Sequence, residues 1–194
     1  YPLRRQRQMC IRDRDKIFPR IQDKAMIVTN ECRRTPQKIK EELREMGNVT
    51  IAEAGLEDLD EVAFMFDQYR QFYDQDEDLK LAKEFLGSHM KNNTSIIFLA
   101  SFDGRNCGFA QLYPTFCSVE ASPILVLYDL FVLPEFRNRN IGTSLLNHCL
   151  SVAKLRGASR IDLETSYDNT GAQKLYESLG YEKDNEFYKY SLEV

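Results

Sequence analysis

Apolar residues follow two rhythms along this chain, and their order predicts strands and helices from Val49 onward. Val49, Ile51 and Ala52 read as a short strand. Leu59, Val62, Ala63, Phe66, Tyr69 and Tyr73 then fall at helical spacing, with Glu57 and Asp58 placed where carboxylates favour a helix start. An acidic turn, 74–78, leads to a second helix carrying Leu79, Ala82, Phe85, Leu86 and Met90. The run 95–102 and the segment 107–113 read as two antiparallel strands, because the pair Asp103-Gly104 between them suits a tight hairpin.

Pro114 breaks the pattern, and 124–133 is then a nearly continuous apolar run, the signature of a strand buried on both faces. Pro134 ends it, and a basic loop, 137–140, precedes a long helix through Ile141, Leu145, Leu146, Cys149, Val152 and Ala153, closed by Gly157. Ile161 and Leu163 supply another strand, Ala172, Leu175, Tyr176 and Leu179 a fourth helix, and 187–192 a final alternating strand.

Composition narrows the class without changing this outline. A 43% hydrophobic share beside 29% charged residues describes a globular chain, and a net charge of −4 provides no basic footprint for nucleic acid. The acidity suits a cationic substrate, although it also serves solubility. No run approaches the roughly 20 apolar residues of a membrane span. Five cysteines, Cys10, Cys32, Cys107, Cys117 and Cys149, are odd in number and lack CxxC spacing, so neither a disulfide framework nor a metal site is expected. The expected location is the cytoplasm.

Residues 1–14 hold five arginines against Asp13 and show no apolar periodicity. They resemble translated adapter read-through and are expected to be non-native and without structure. Residues 15–48 are expected to form a peripheral extension, with Met46 as a candidate native start, leaving 49–194 as the domain.

The chemistry is concentrated after the central strand. A buried strand that leaves through a two-arginine loop into a helix presents unpaired backbone N–H groups at the helix start, a seat for pyrophosphate. PEFRNRNIGTSLL, followed after about thirty residues by DNTGAQKLYESLGY, resembles the acyl-CoA loop and succeeding motif of the GNAT (GCN5-related N-acetyltransferase) superfamily in order, spacing and residue type. The resemblance covers 49–194 and implies an α/β fold, with a mixed six- or seven-stranded sheet flanked by four helices. Its two central parallel strands part to admit acetyl-CoA. The family's loop pattern, Arg/Gln-x-x-Gly-x-Gly/Ala, falls on Arg137, Asn140 and Gly142. Asn140 departs from it, yet Asn is the side chain most tolerant of positive φ.

By resemblance, the backbone of Leu130, Phe131 and Val132 pairs with the pantetheine arm, and Arg137, Asn138, Arg139, Asn140, Ile141, Gly142 and Thr143 hold the pyrophosphate. Asn169 contacts the cofactor arm, and Tyr176 protonates the departing sulfur. The implied reaction is direct acetyl transfer to a primary amine, with no covalent enzyme intermediate, and dimers are common among such relatives.

An alkylammonium with pKa near 10.4 leaves only about one molecule in a thousand nucleophilic at neutral pH, so a base is required. Asp129 is the candidate, a carboxylate within an apolar strand where ionisation is costly unless used or paired. Backbone bonding would explain it equally well. Some polyamine acetyltransferases of the family carry Glu-Asp at this place, whereas this chain has Tyr128-Asp129. Glu164 is the reserve base, and Tyr69, Arg70 and Tyr73 are candidates to shape the acceptor pocket. His89 and His148 read as ordinary polar or interfacial side chains. The acceptor class favoured is a small cationic molecule. A protein amine, a non-catalytic acyl-CoA sensor and a nucleic-acid-binding arm are the rival readings.

Overall fold

The computed structural model describes residues 47–194. The chain divides into two units, 1–45 and 46–194, and the described residues belong to the second. The expectations for 1–14 and for 15–46 therefore lie outside the described residues.

The elements follow the order expected. Strand β1 (Val49–Glu53) leads through a short 3-10 turn into α1 (Leu59–Phe72) and α2 (Leu79–Asn92). Strands β2 (Ile96–Phe102), β3 (Arg105–Cys117) and β4 (Ser122–Val132) follow, then α3 (Ile141–Leu155), β5 (Ile161–Leu163) and α4 (Thr170–Ser178). The sheet order is β1-β2-β3-β4-β5, antiparallel except for the parallel β4–β5 pair. Asp103 and Gly104 both take positive φ, 50° and 77°, as the predicted two-residue hairpin requires.

Helices cover both faces of the sheet. Helix α3 lies across β1 to β4 on one face, where His148 packs edge-on against Phe98 with centroids 4.7 Å apart. Helix α1 covers β3 and β4 on the other, with Tyr69 against Phe109 and Phe131, each at 6.2 Å. Phe98, Phe109, Leu145 and Leu146 are essentially inaccessible to solvent. Each such side chain contributes about 1.5–3 kcal/mol of burial.

The α1–α2 turn is tied down by a buried carboxylate. Asp67 accepts hydrogen bonds from Arg70 Nη1 (3.0 Å), Gln71 Nε2 (2.9 Å) and the Asp78 amide (2.9 Å). Asp78 in turn caps α2 by accepting from the Leu81 amide at 2.9 Å.

Two expectations are corrected. Pro114 does not end its strand. It pairs with Leu125 inside β3, and among the described residues β3 beyond Leu112 is bonded to β4 alone, so a residue without an N–H is tolerated beside the open edge. The final strand 187–192 is not formed, and the described sheet has five strands instead of six or seven. Alternation makes a segment suitable for a ladder but does not supply a partner, and β5 offers only three residues. Lys189 meets Glu164, while Phe187, Tyr188, Tyr190 and Leu192 remain exposed.

Candidate functional site

A register shift in the central strand creates the site. Leu127 pairs with Leu112 and Asp129 with Gln111, so Tyr128 is an extra residue on β4. Such a bulge inverts the alternation beyond it. Leu127 shares the α3-side face with Leu112, whereas Asp129 and Phe131 share the α1-side face with Gln111 and Phe109. Without the extra residue, Asp129 would point into the apolar layer beneath α3.

Instead it borders a cleft of about 430 Å³ lined by Phe66, Phe85, His89, Tyr113, Tyr128 and Asp129. Asp129 is 7% exposed. Burial pushes its carboxyl up to about 7, and the neighbouring Tyr69 hydroxyl only partly opposes that rise. Tyr69 donates to the Tyr128 carbonyl at 3.2 Å, and desolvation, with Asp129 alongside, holds its phenol well above the usual range. Gln111, fully buried opposite Asp129, bonds Ser95 Oγ (2.8 Å) and Tyr113 Oη (3.0 Å) through Nε2, while its Oε1 has no partner among the described residues.

A second feature adjoins this cleft. The β4–β5 ladder stops at Leu127 and Leu163, while β4 continues to Val132. Among the described residues, Leu130, Phe131 and Val132 therefore have no strand beside them on the β5 side. At the end of this open edge the chain makes a 3-10 turn at Pro134–Phe136 and enters α3 through Asn140, in the left-handed conformation at φ 60°, ψ 13°. Asn138 is also left-handed, at φ 62°. The first helical bond runs from the Ser144 amide to the Asn140 carbonyl, leaving the amides of Ile141, Gly142 and Thr143 at the open helix start. The same end of α3 lies close to α4, since a Cβ on Gly142 would stand 3.3 Å from Leu175 Cδ2.

The predicted loop side chains divide in their contacts. Arg137 donates from Nε to the Val132 carbonyl (3.0 Å), with its guanidinium 5.8 Å from the Phe131 ring centre. Arg139 lies over Phe102 (5.0 Å) and Phe136 (5.8 Å). Asn169 caps α4, its Oδ1 accepting from the Ala172 amide at 3.3 Å. The left-handed turn makes a test of the loop: Asn140→Val should cost about 1–2 kcal/mol of stability in urea unfolding, and Asn140→Gly should be nearly neutral.

Tyr176 is half-buried on α4 beside Tyr181, with ring centres 5.8 Å apart, and burial together with Tyr73 pushes its phenol up to about 12. Tyr73 also packs edge-on against Tyr69 at 5.1 Å. Tyr69 on α1 and Tyr73 at its C-terminal end thus connect the surroundings of Asp129 to those of Tyr176. Arg70 is turned away to Asp67 and the Asp76 carbonyl, and exposed Glu164 meets Lys189. His89, read from sequence as an ordinary polar or interfacial side chain, lines the cleft, with Nδ1 2.6 Å from Thr94 Oγ1 and its ring against Phe85 and Tyr113. Phe85 and His89 are four apart on α2, a spacing that marks a shared face but does not say what that face meets. Gln111, a polar residue within an apolar strand, carried the same kind of signal as Asp129.

A sheet whose parallel pair parts beside a left-handed entry into a helix is the architecture of acyl-CoA N-acyltransferases. Residues 57–181 match the Acetyltransferase (GNAT) family. The chain is 41% identical over 146 residues, 75% of its length, to the uncharacterized N-acetyltransferase YhfO of Bacillus subtilis, spanning 98% of that protein. Its fold superposes on the crystal structure of a probable acetyltransferase with a TM-score of 0.71 and 37% identity, covering 75% of this chain and 97% of the other. An aminoglycoside N-acetyltransferase solved in complex with CoA shares the fold at a TM-score of 0.66 and 21% identity, over 76% and 97% of the two chains. The chain belongs to the GNAT acetyltransferase family and is an enzyme that transfers an acetyl group to an amine. Among the described residues, no helix is long and apolar enough to cross a membrane.

Proposed function

We propose that this enzyme moves the acetyl group of acetyl-CoA directly onto a small cationic primary amine, with Asp129 as general base and Tyr176 as hydrogen-bond donor to the leaving sulfur. The observation that carries this reading is a buried carboxylate bordering a cleft beside the open edge of β4, where burial pushes its pKa up to about 7. A base poised near the operating pH can take a proton from an ammonium and remain available for the next turnover.

The amides of Ile141, Gly142 and Thr143 would hold the pyrophosphate, with Asn138 and Asn140 fixing the loop's shape and Arg137 adding charge. The open edge at Leu130, Phe131 and Val132 would receive the pantetheine arm and polarise the thioester carbonyl through a backbone N–H. Arg139, held over two rings, would anchor the loop more than touch phosphate. Asn169 would serve the arm through the amide end not used in capping.

Acetyl-CoA supplies an activated acyl carbon: the amine nitrogen bonds to it, the C–S bond breaks, and sulfur takes the electron pair. Asp129 receives the proton that the ammonium sheds before attack, and the second proton, lost from nitrogen as the amide forms, passes to the departing sulfur or to water. Tyr176, held protonated up to about 12, cannot give its proton outright to a thiolate of pKa near 8.5, so it donates a hydrogen bond as charge develops on sulfur. Incubating residues 46–194 with acetyl-CoA and amines pooled by class should release thiol with one small-amine pool and yield an acetylated amine. Release only with peptide amines would instead favour a protein acceptor. Binding of acetyl-CoA without release in any pool would favour a sensor.

A further inference from the structure

Building on the small-amine reading, the geometry points to an acceptor that carries a single ammonium group on an apolar body, and not to a polyamine or an aminoglycoside. The cleft offers an ammonium one counter-charge. Of its lining residues only Asp129 is a carboxylate, and the others are Phe66, Phe85, His89, Tyr113 and Tyr128. Outside the lining, Asp67 is committed to Arg70, Gln71 and the Asp78 amide and Glu164 to Lys189, while Asp74, Asp76 and Glu77 lie on the exposed turn between α1 and α2. A second ammonium inside this cleft would be desolvated without a counter-charge, which is far more costly than leaving it in water.

The walls are aromatic. Phe85 stacks on Phe66 with centroids 5.4 Å apart and an interplanar angle of 4°, and His89 and Tyr113 continue that wall edge-to-face. Tyr128 closes against Tyr113 at 5.3 Å. Such surfaces attract one cation through their faces and otherwise favour apolar contact. Hydroxyl-rich sugar rings would lose water there with few groups to replace it.

Polar recognition in the cleft centres on one group. Gln111, opposite Asp129, is fully buried and lies outside the lining, so Asp129 is the charged partner for one nitrogen and the remaining wall is aromatic.

The test compares kcat/KM for phenethylamine, spermidine and kanamycin, and measures binding of each to the CoA-loaded protein by calorimetry. Phenethylamine is expected to exceed both polycations by about tenfold or more in kcat/KM, in the range that pocket contacts give. Its binding should show the same order. Phe85→Glu, at a partly exposed wall position, should lower phenethylamine turnover and raise that of spermidine. Equal or better turnover of spermidine or kanamycin by the wild type would overturn the inference, and for spermidine would direct attention to the exposed acids Asp74, Asp76, Glu77 and Asp78. Phenethylamine binding in the expected order without turnover would uphold the ligand class and defeat the catalytic reading on which it rests. Preferential binding of a polycation would defeat the ligand class.

Discussion

Asp129→Asn should yield a protein that is more stable than the wild type at pH 8 and at the same time nearly inactive. In the unfolded chain this carboxyl ionises near 3.8, and in the folded protein near 7, because burial disfavours its charge. Below about pH 4 it is protonated in both states and contributes nothing to the difference. Between about 4 and 7 only the unfolded chain ionises, so the folded state loses about 1.4 kcal/mol per pH unit, up to about 4 kcal/mol. Above about 7 the penalty stays constant. The neutral amide removes it, so the gain from Asp129→Asn should be near zero at pH 4 and reach its plateau above pH 7, measured as urea unfolding free energy across that range. A loss of stability equal at both ends of the range would show that Asp129 is held by partners and not penalised by burial. Activity should fall by about 10²–10⁴, the usual contribution of a positioned general base.

Tyr176→Phe should separate in the opposite sense, leaving stability almost unchanged while kcat falls by about 10²-fold. Its hydroxyl has no hydrogen-bond partner recorded among the described residues, and the ring packs against the core in either form. KM for acetyl-CoA should change little, because the hydrogen bond strengthens only as charge reaches the sulfur. The defect should also be the same at pH 7 and pH 9, since a phenol pushed up to about 12 remains protonated throughout. Steady-state kinetics at the two pH values, with thermal melting alongside, would check this. A kcat unchanged by the substitution would make Tyr176 a packing residue of the stripe formed with Ala172, Leu175 and Leu179.

Much of this site was legible because its signals are local. A left-handed residue before a helix selects Gly or Asn, so Asn140 could be expected at positive φ, and it takes φ 60°. The continuous apolar run of β4 foretold a strand covered on both faces. What stayed hidden depends on register and on non-local packing. The bulge at Tyr128 is invisible in a run where apolar residues occupy both parities, yet it decides which face Asp129 occupies. The aromatic cleft is assembled from α1, α2, β3 and β4, so the facing of Phe85 and His89 toward Tyr113 could not be read from their own helix. The alternation of 187–192 spoke for a strand, but pairing belongs to the partner as much as to the segment, and β5 is short.

Asp129, displaced by a strand bulge onto the cleft face, is proposed as the base for acetyl transfer. The most direct test is the pH dependence of kcat/KM for the wild type and Asp129→Asn with one accepted amine. The wild-type profile should rise through a limb with midpoint near 7, matching the raised carboxyl, and that limb should vanish in the variant, leaving only the slow rise from the amine's own titration. A limb near 7 that survives in Asp129→Asn would assign the proton to another group and contradict the account.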